Sequence, residues 1–186
     1  MTARYLDPWR VDIEIRPTVP RPIPGSVATF VRAIASALEA AGAPDPASIG
    51  LILSDDAELA QLNKDHLGED GPTDVLSFPL LPPEAYPIHE GDPDRRSEPA
   101  RDAAAMFAGP PGRRVHLGDV VGSVERAIEQ AEAGRGGQTG DVHWSAREEL
   151  RLLVTHGTLH VCGWDHADPA EERAMRELEQ RLLASR

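Results

Sequence analysis

Residues 156–166 read His156-Gly157-Thr158-Leu159-His160-Val161-Cys162-Gly163-Trp164-Asp165-His166, or H-G-x-L-H-x-x-G-x-D-H. On a helix, residues four apart share a face one turn from each other, so His156 and His160 project together. Gly163 is the residue type that ends a helix in the left-handed conformation. The chain can then double back and present His166 from outside the helix. Three imidazoles converging from a helix and its following turn predict an open zinc site, with the fourth position left for water. Core packing alone asks for no imidazole at these three places, and imidazole ligands favour zinc. Cys162 lies two residues past His160, so helical geometry turns it away by roughly 200°. It reads as a small buried hydrophobe.

The same run sets the helix around it. Ser145 with Glu148 is a capping box that opens this helix. Leu150, Val154, Gly157 and Val161 share its core side, while Glu149, Leu153, His156 and His160 lie on a neighbouring side. Asp168, Pro169 and Glu171 are the N-cap, N1 and N3 of a last helix, with Met175, Leu178 and Leu182 inward. Asp165 has two compatible readings. It is a carboxylate that orients an imidazole or handles a proton, or a turn aspartate that bonds nearby amides.

Working toward the N-terminus, residues 115–123 read as a strand, and Ser123 caps a helix through Val124, Ala127, Ile128 and Ala131. Residues 134–140 are a glycine-rich linker. Residues 81–114 change composition, with prolines recurring among charges and small residues; they read as an inserted surface loop with a helical turn around 101–107. Residues 73–78 form a strand closed by Pro79, and residues 49–53 form another. Between them Ser54 or Asp55 caps a short helix through Leu59, Leu62 and Asn63. Residues 11–15 alternate as a first strand. A helix from Ser26 presents Val27, Phe30, Val31, Ile34 and Leu38 and stops at Gly42. The order is β-α-β-α-β-β-α-α-α, which predicts a single α+β domain over residues 1–186: a small mixed sheet of about four strands packed with about five helices. His116 and His143 read as structural, and His66 and His89 as surface residues.

The totals narrow the function. The 186 residues carry a net charge of −12 and only 4% aromatic side chains. Such a balance opposes strong sequence-independent binding to nucleic acid, though a local basic groove is compatible with it. The single cysteine rules out an intrachain disulfide and suits a reducing cytoplasm. No stretch approaches the ~20 apolar residues of a membrane span. The first ten residues lack the apolar run of a secretory signal. The histidine and glycine spacing also matches the zinc-protease signature H-E-x-x-H-x-x-G-x-x-H. Gly157 stands where those proteases carry their glutamate base, which argues against a peptidase.

Three segments, taken in order, resemble one family. Pro72-Thr73-Asp74-Val75-Leu76-Ser77-Phe78-Pro79 is similar to its P-T-D-V-L-S-F-P element, with Leu62-Asn63 and Gly68 before it. Leu117-Gly118-Asp119-Val120-Val121 is similar to its L-G-D-I strand, and the histidine run is its hallmark. That family is the YbeY family of bacterial endoribonucleases and rRNA maturation factors. The resemblance implies Zn2+ held by His156, His160 and His166. It also implies cleavage of single-stranded RNA, maturation of the 16S rRNA 3′ end, a part in ribosome quality control, and contact with the small ribosomal subunit. Thr73, Asp74 and Ser77, on a candidate strand edge along which substrate could lie, with Arg147 and Arg151 on the histidine helix, are candidate substrate contacts. Many members carry an RNA-engaging arginine just before the glycine that matches Gly68; here that position is Leu67. Two other readings of the site are a non-catalytic ribosome assembly factor stapled by zinc, and a zinc peptidase or amidase.

Overall fold

The computed structural model describes residues 1–89, 114–134 and 144–184. Its strands are β1 (Thr2–Leu6), β2 (Trp9–Ile15), β3 (Ala47–Ser54), β4 (Val75–Pro79) and β5 (Val115–Ser123). Its helices are α1 (Val27–Ala40), α2 (Asp56–Leu67), α3 (Val124–Ala133), α4 (Ala146–Val161) and α5 (Pro169–Ala184), with a 3-10 turn at Pro83–Ala85. The helical turn expected at 101–107 and most of the 134–140 linker lie outside the described residues.

The sheet order is β1-β2-β3-β5-β4. The inner strands β2, β3 and β5 run parallel, and the two edge strands pair antiparallel to their neighbours. The sheet therefore has five strands where the sequence reading gave about four. The additional strand is β1. It pairs along one side only and is almost wholly exposed, so it lacks the buried alternation that reveals a strand in a sequence. Its pairing of Leu6 with Trp9 also draws the start of β2 back from Val11 to Trp9.

Central β3 is buried along most of its length, as a strand covered on both sides must be. Successive side chains of a strand point to opposite faces. Ser77 and Val120 meet α4 at Gly157, while Phe78, next to Ser77 in the chain, meets α2 through an edge contact with His66 at 5.0 Å. The histidine helix and α2 thus lie on opposite faces. On the α4 side, Phe30, Ile34 and Leu38 of α1 join Val11, Ile13, Leu51, Leu150, Val154, Leu159 and Met175 in the core.

The helix starts follow their capping residues. Ser26, Asp55, Ser123 and Ser145 each accept a bond from a backbone amide in the first turn. Asp168 accepts from Ala170 and Glu171 at the head of α5. Asp55 is the cap of α2, and Ser54 turns instead to the Glu58 carboxylate.

Candidate metal centre

The capping box is complete at the head of α4: Ser145 Oγ accepts from the Glu148 amide, and the Glu148 carboxylate accepts from the Ser145 amide at 2.9 Å. Sixteen residues later the helix ends in a tight turn, in which the Gly163 amide donates to His160 O and the Trp164 amide to Leu159 O. Gly163 sits at φ +80°, the left-handed region that glycine enters without strain. The reversal brings His166 back toward the helix. The ligand-competent nitrogens of His156, His160 and His166 lie within 4.8 Å of one another. Nε2 of His156 and Nε2 of His160 are 3.0 Å apart. Two nitrogens bound to one tetrahedral ion at ~2.0 Å would stand roughly 3.3 Å apart, so the donor set fits a small ion with one side open. Among the described residues, these three form the group of side chains able to hold a metal ion.

Electrostatics agree with ligation. Burial of His160, reinforced by its neighbours His156 and His166, pushes its pKa down to about 4. Its imidazole is then neutral near pH 7 and keeps a lone pair for an ion. Cys162 stays apart: it is buried, and that burial pushes its thiol pKa far up. A thiol so held is not a ready thiolate ligand.

Glu179 was not among the residues picked out by sequence. Its carboxylate lies 2.7 Å from Nδ1 of His156, which fixes the ring and leaves Nε2 for the metal side. Only 12% of that carboxylate side chain is exposed. The one available signal was position: Glu179 is four residues after Met175 and adjoins Leu178, on the side of α5 expected to face inward.

The other candidates fall in different places. Asp165 is exposed, and its carboxylate accepts from the His166 amide at 2.7 Å, so it shapes the turn. Ser77 Oγ donates to Gly157 O at 3.0 Å and pins the histidine helix to β4. Asp74 accepts from Gln130 of α3 at 3.0 Å, and Thr73 Oγ1 reaches Asp74 and Val75 O at 3.5 Å. Arg151 donates to the carbonyls of Leu182 and Leu183, closing the C-terminal end of α5. Arg147 is exposed one turn earlier on α4. Leu67, at the end of α2, is 63% exposed.

The remaining histidines also separate. His116 Nδ1 is 3.0 Å from Ser48 Oγ, and its Nε2 is 3.4 Å from Asp119. His89 is not the surface residue expected from its polar surroundings: its ring stacks on Trp164 at 4.0 Å with an 11° tilt. His143 lies outside the described residues.

Gly157 explains itself by contact. A Cβ there would stand 2.6 Å from Val120 Cγ1, 3.0 Å from Val75 Cγ2 and 3.2 Å from Ser77 Oγ. The residue after the first histidine therefore faces the sheet. The glutamate of the protease signature has no room at this position.

Fold and site together define an α+β protein in which a helix and its turn gather three histidines as a candidate single-ion centre. The family described as Endoribonuclease YbeY matches residues 23–186. Endoribonuclease YbeY of Salinispora tropica is 41% identical over 150 residues, covering 80% of each chain. That of Roseiflexus sp. is 33% identical over 174 residues, covering 93% of this chain and 90% of its own. This chain belongs to the YbeY family. No helix among the described residues is long and apolar enough to cross a membrane.

Proposed function

We propose that this chain is a zinc-dependent endoribonuclease that cuts single-stranded RNA, matures the 3′ end of 16S rRNA and serves ribosome quality control in the cytoplasm. The observation that supports this most is the gathering of three imidazole nitrogens within 4.8 Å, with His166 exposed, in a chain of this family. His156, His160 and His166 would hold the ion. What zinc supplies when bound is Lewis acidity: it acidifies a water and withdraws charge from a phosphoryl oxygen.

The chain's own groups do the rest. Glu179 holds the proton on Nδ1 of His156, so that Nε2 presents its lone pair. Burial keeps His160 neutral. Asp165 holds the amide of His166 and with it the turn. RNA brings its own nucleophile in the 2′-OH, so the site needs no nucleophilic side chain. β4 is an edge strand beside α4, and an extended strand of RNA can run along it past Thr73, Asp74 and Ser77. Arg147, exposed on α4, is the better placed of the two arginines to meet phosphate, since Arg151 already closes α5. A peptidase reading is disfavoured by the packing of Gly157 against Val120, which leaves no place for a base after the first histidine.

The test is a structured RNA bearing a single-stranded 3′ tail, incubated with zinc-loaded wild type and with His160→Ala. Tail cleavage is expected from the wild type, with His160→Ala reduced to background while its circular dichroism is unchanged. Equal cleavage by both proteins would refute the metal-dependent mechanism. No cleavage by either, with both folded, would favour an assembly factor stapled by zinc.

A further inference from the structure

The third ligand stands on a turn, and one segment holds that turn from outside the helix. The segment that follows β4 crosses the end of α4. A Cβ added to Gly163 would lie 3.2 Å from Pro83 Cα and 3.6 Å from Tyr86 Cδ2, so the two backbones are in close contact there. Ala85 and Tyr86 are buried in the same core as Cys162. His89 then lays its ring flat on Trp164, two residues before His166. Nδ1 of His89 is buried and finds no hydrogen-bond partner among the described residues, so packing holds that side of the ring, and the stack on Trp164 is part of that packing. Trp164 is itself half-buried against the core. His166, by contrast, is exposed.

We propose that residues 83–89, the start of the inserted segment, brace the turn that presents the third ligand, and that His89 is a positioning residue for His166. This rests on the reading of the three histidines as a metal site. The argument is geometric. His156 and His160 keep their spacing through the hydrogen bonds of α4. His166 has no helix beneath it, and its distance from the other two depends on where Trp164 is clamped. Without the stack, the turn samples more positions, and the ion must order it on binding.

The test uses the full chain, stripped of metal, as wild type, His89→Ala and His89→Phe. Phenylalanine keeps the stack and removes the buried nitrogen. Each protein is titrated with Co2+, followed by its visible absorption, and amide hydrogen exchange is measured across residues 162–166 without metal. His89→Ala is expected to weaken Co2+ binding roughly fivefold, the size of an aromatic pair's contribution, and to speed exchange in the turn. His89→Phe is expected to stay within about twofold of wild type, since the stacked pair is kept. Wild-type affinity and exchange in His89→Ala would overturn the brace, as would His89→Phe matching His89→Ala. Wild type that takes up no Co2+ would overturn the metal reading instead, and turn exchange in the metal-free proteins would still decide the brace.

Discussion

His156 and His160 ride on a helix pressed between the sheet and α5, whereas His166 stands on an exposed turn beyond that helix's end. The first pair is held by helix hydrogen bonds, by close contact at Gly157 and by the Glu179 carboxylate. The third is held by a left-handed glycine, the hydrogen bond that its amide donates to the Asp165 carboxylate, and a ring stack on Trp164. The contrast teaches that damage to the packing of the helix on the sheet should appear first as lost stability. Damage at the turn should appear first as lost metal affinity in a folded protein.

The strongest way to break this contrast is Gly157→Glu. It forces a side chain into Val120 and buries a carboxylate against the sheet. Overpacking and an unpaired buried charge together are expected to cost more than about 3 kcal/mol, read as a collapse of the urea midpoint. A Gly157→Glu protein of near wild-type stability would mean that α4 does not press on the sheet as described.

Next in size is Glu179→Ala, which frees the His156 ring. Metal affinity is expected to fall roughly 10- to 100-fold, as for other carboxylates that orient a ligand histidine, with Glu179→Gln between it and wild type. A competitive zinc titration reads this directly, and unchanged affinity would remove Glu179 from the site.

Ser77→Ala sharpens the contrast from the sheet side. It deletes the hydroxyl that donates to Gly157 O. Stability is expected to drop by about 1 kcal/mol, with metal affinity unmoved. A large loss of affinity would show that β4 positions the ligands as well as the helix.

The smallest effect lies on the opposite face, at the Arg16–Glu58 pair. The hydrogen bonds from Arg16 lower the Glu58 pKa from its ordinary 4.5. A carboxylate whose folded pKa is depressed stabilises the fold above its unfolded pKa and loses that contribution as pH falls through the folded value. The stability gap between wild type and Glu58→Gln is therefore expected to narrow as acid titrations pass below about 4.5, with metal uptake unaffected at neutral pH. A gap that does not change with pH would mean that the pair contributes nothing through its charge.

Most of the helical framework was readable because its signals are local. Ser145 with Glu148, Asp168 ahead of Pro169, and Gly163 after the histidines are each short-range devices whose chemistry needs no tertiary partner. The convergence of His156, His160 and His166 was readable for the same reason, since a helix period and one glycine bring them together. β1 was not, because an exposed edge strand shows its identity only in its pairing with β2. Glu179 and His89 were hidden by distance along the chain. Their partners, His156 and Trp164, are remote in sequence and meet them only after α5 and the segment past β4 have docked. Arg151 was legible as a cation on the right helix, but its engagement with the end of α5 is a tertiary fact.

The antiparallel pairing of β4 with β5 has a kinetic side. Residues 80–114 separate two strands that are direct neighbours in the sheet. Loop-closure entropy grows with the logarithm of length, roughly 0.6 kcal/mol per doubling, so the number of residues between two strands weighs only slowly on equilibrium stability. The packed start of the segment is the exception, since Ala85 and Tyr86 belong to the core and a deletion there would remove buried contacts. The length is felt instead in the rate of folding, because β4 can reach its place only after a long closure, and non-local pairings are the slow ones.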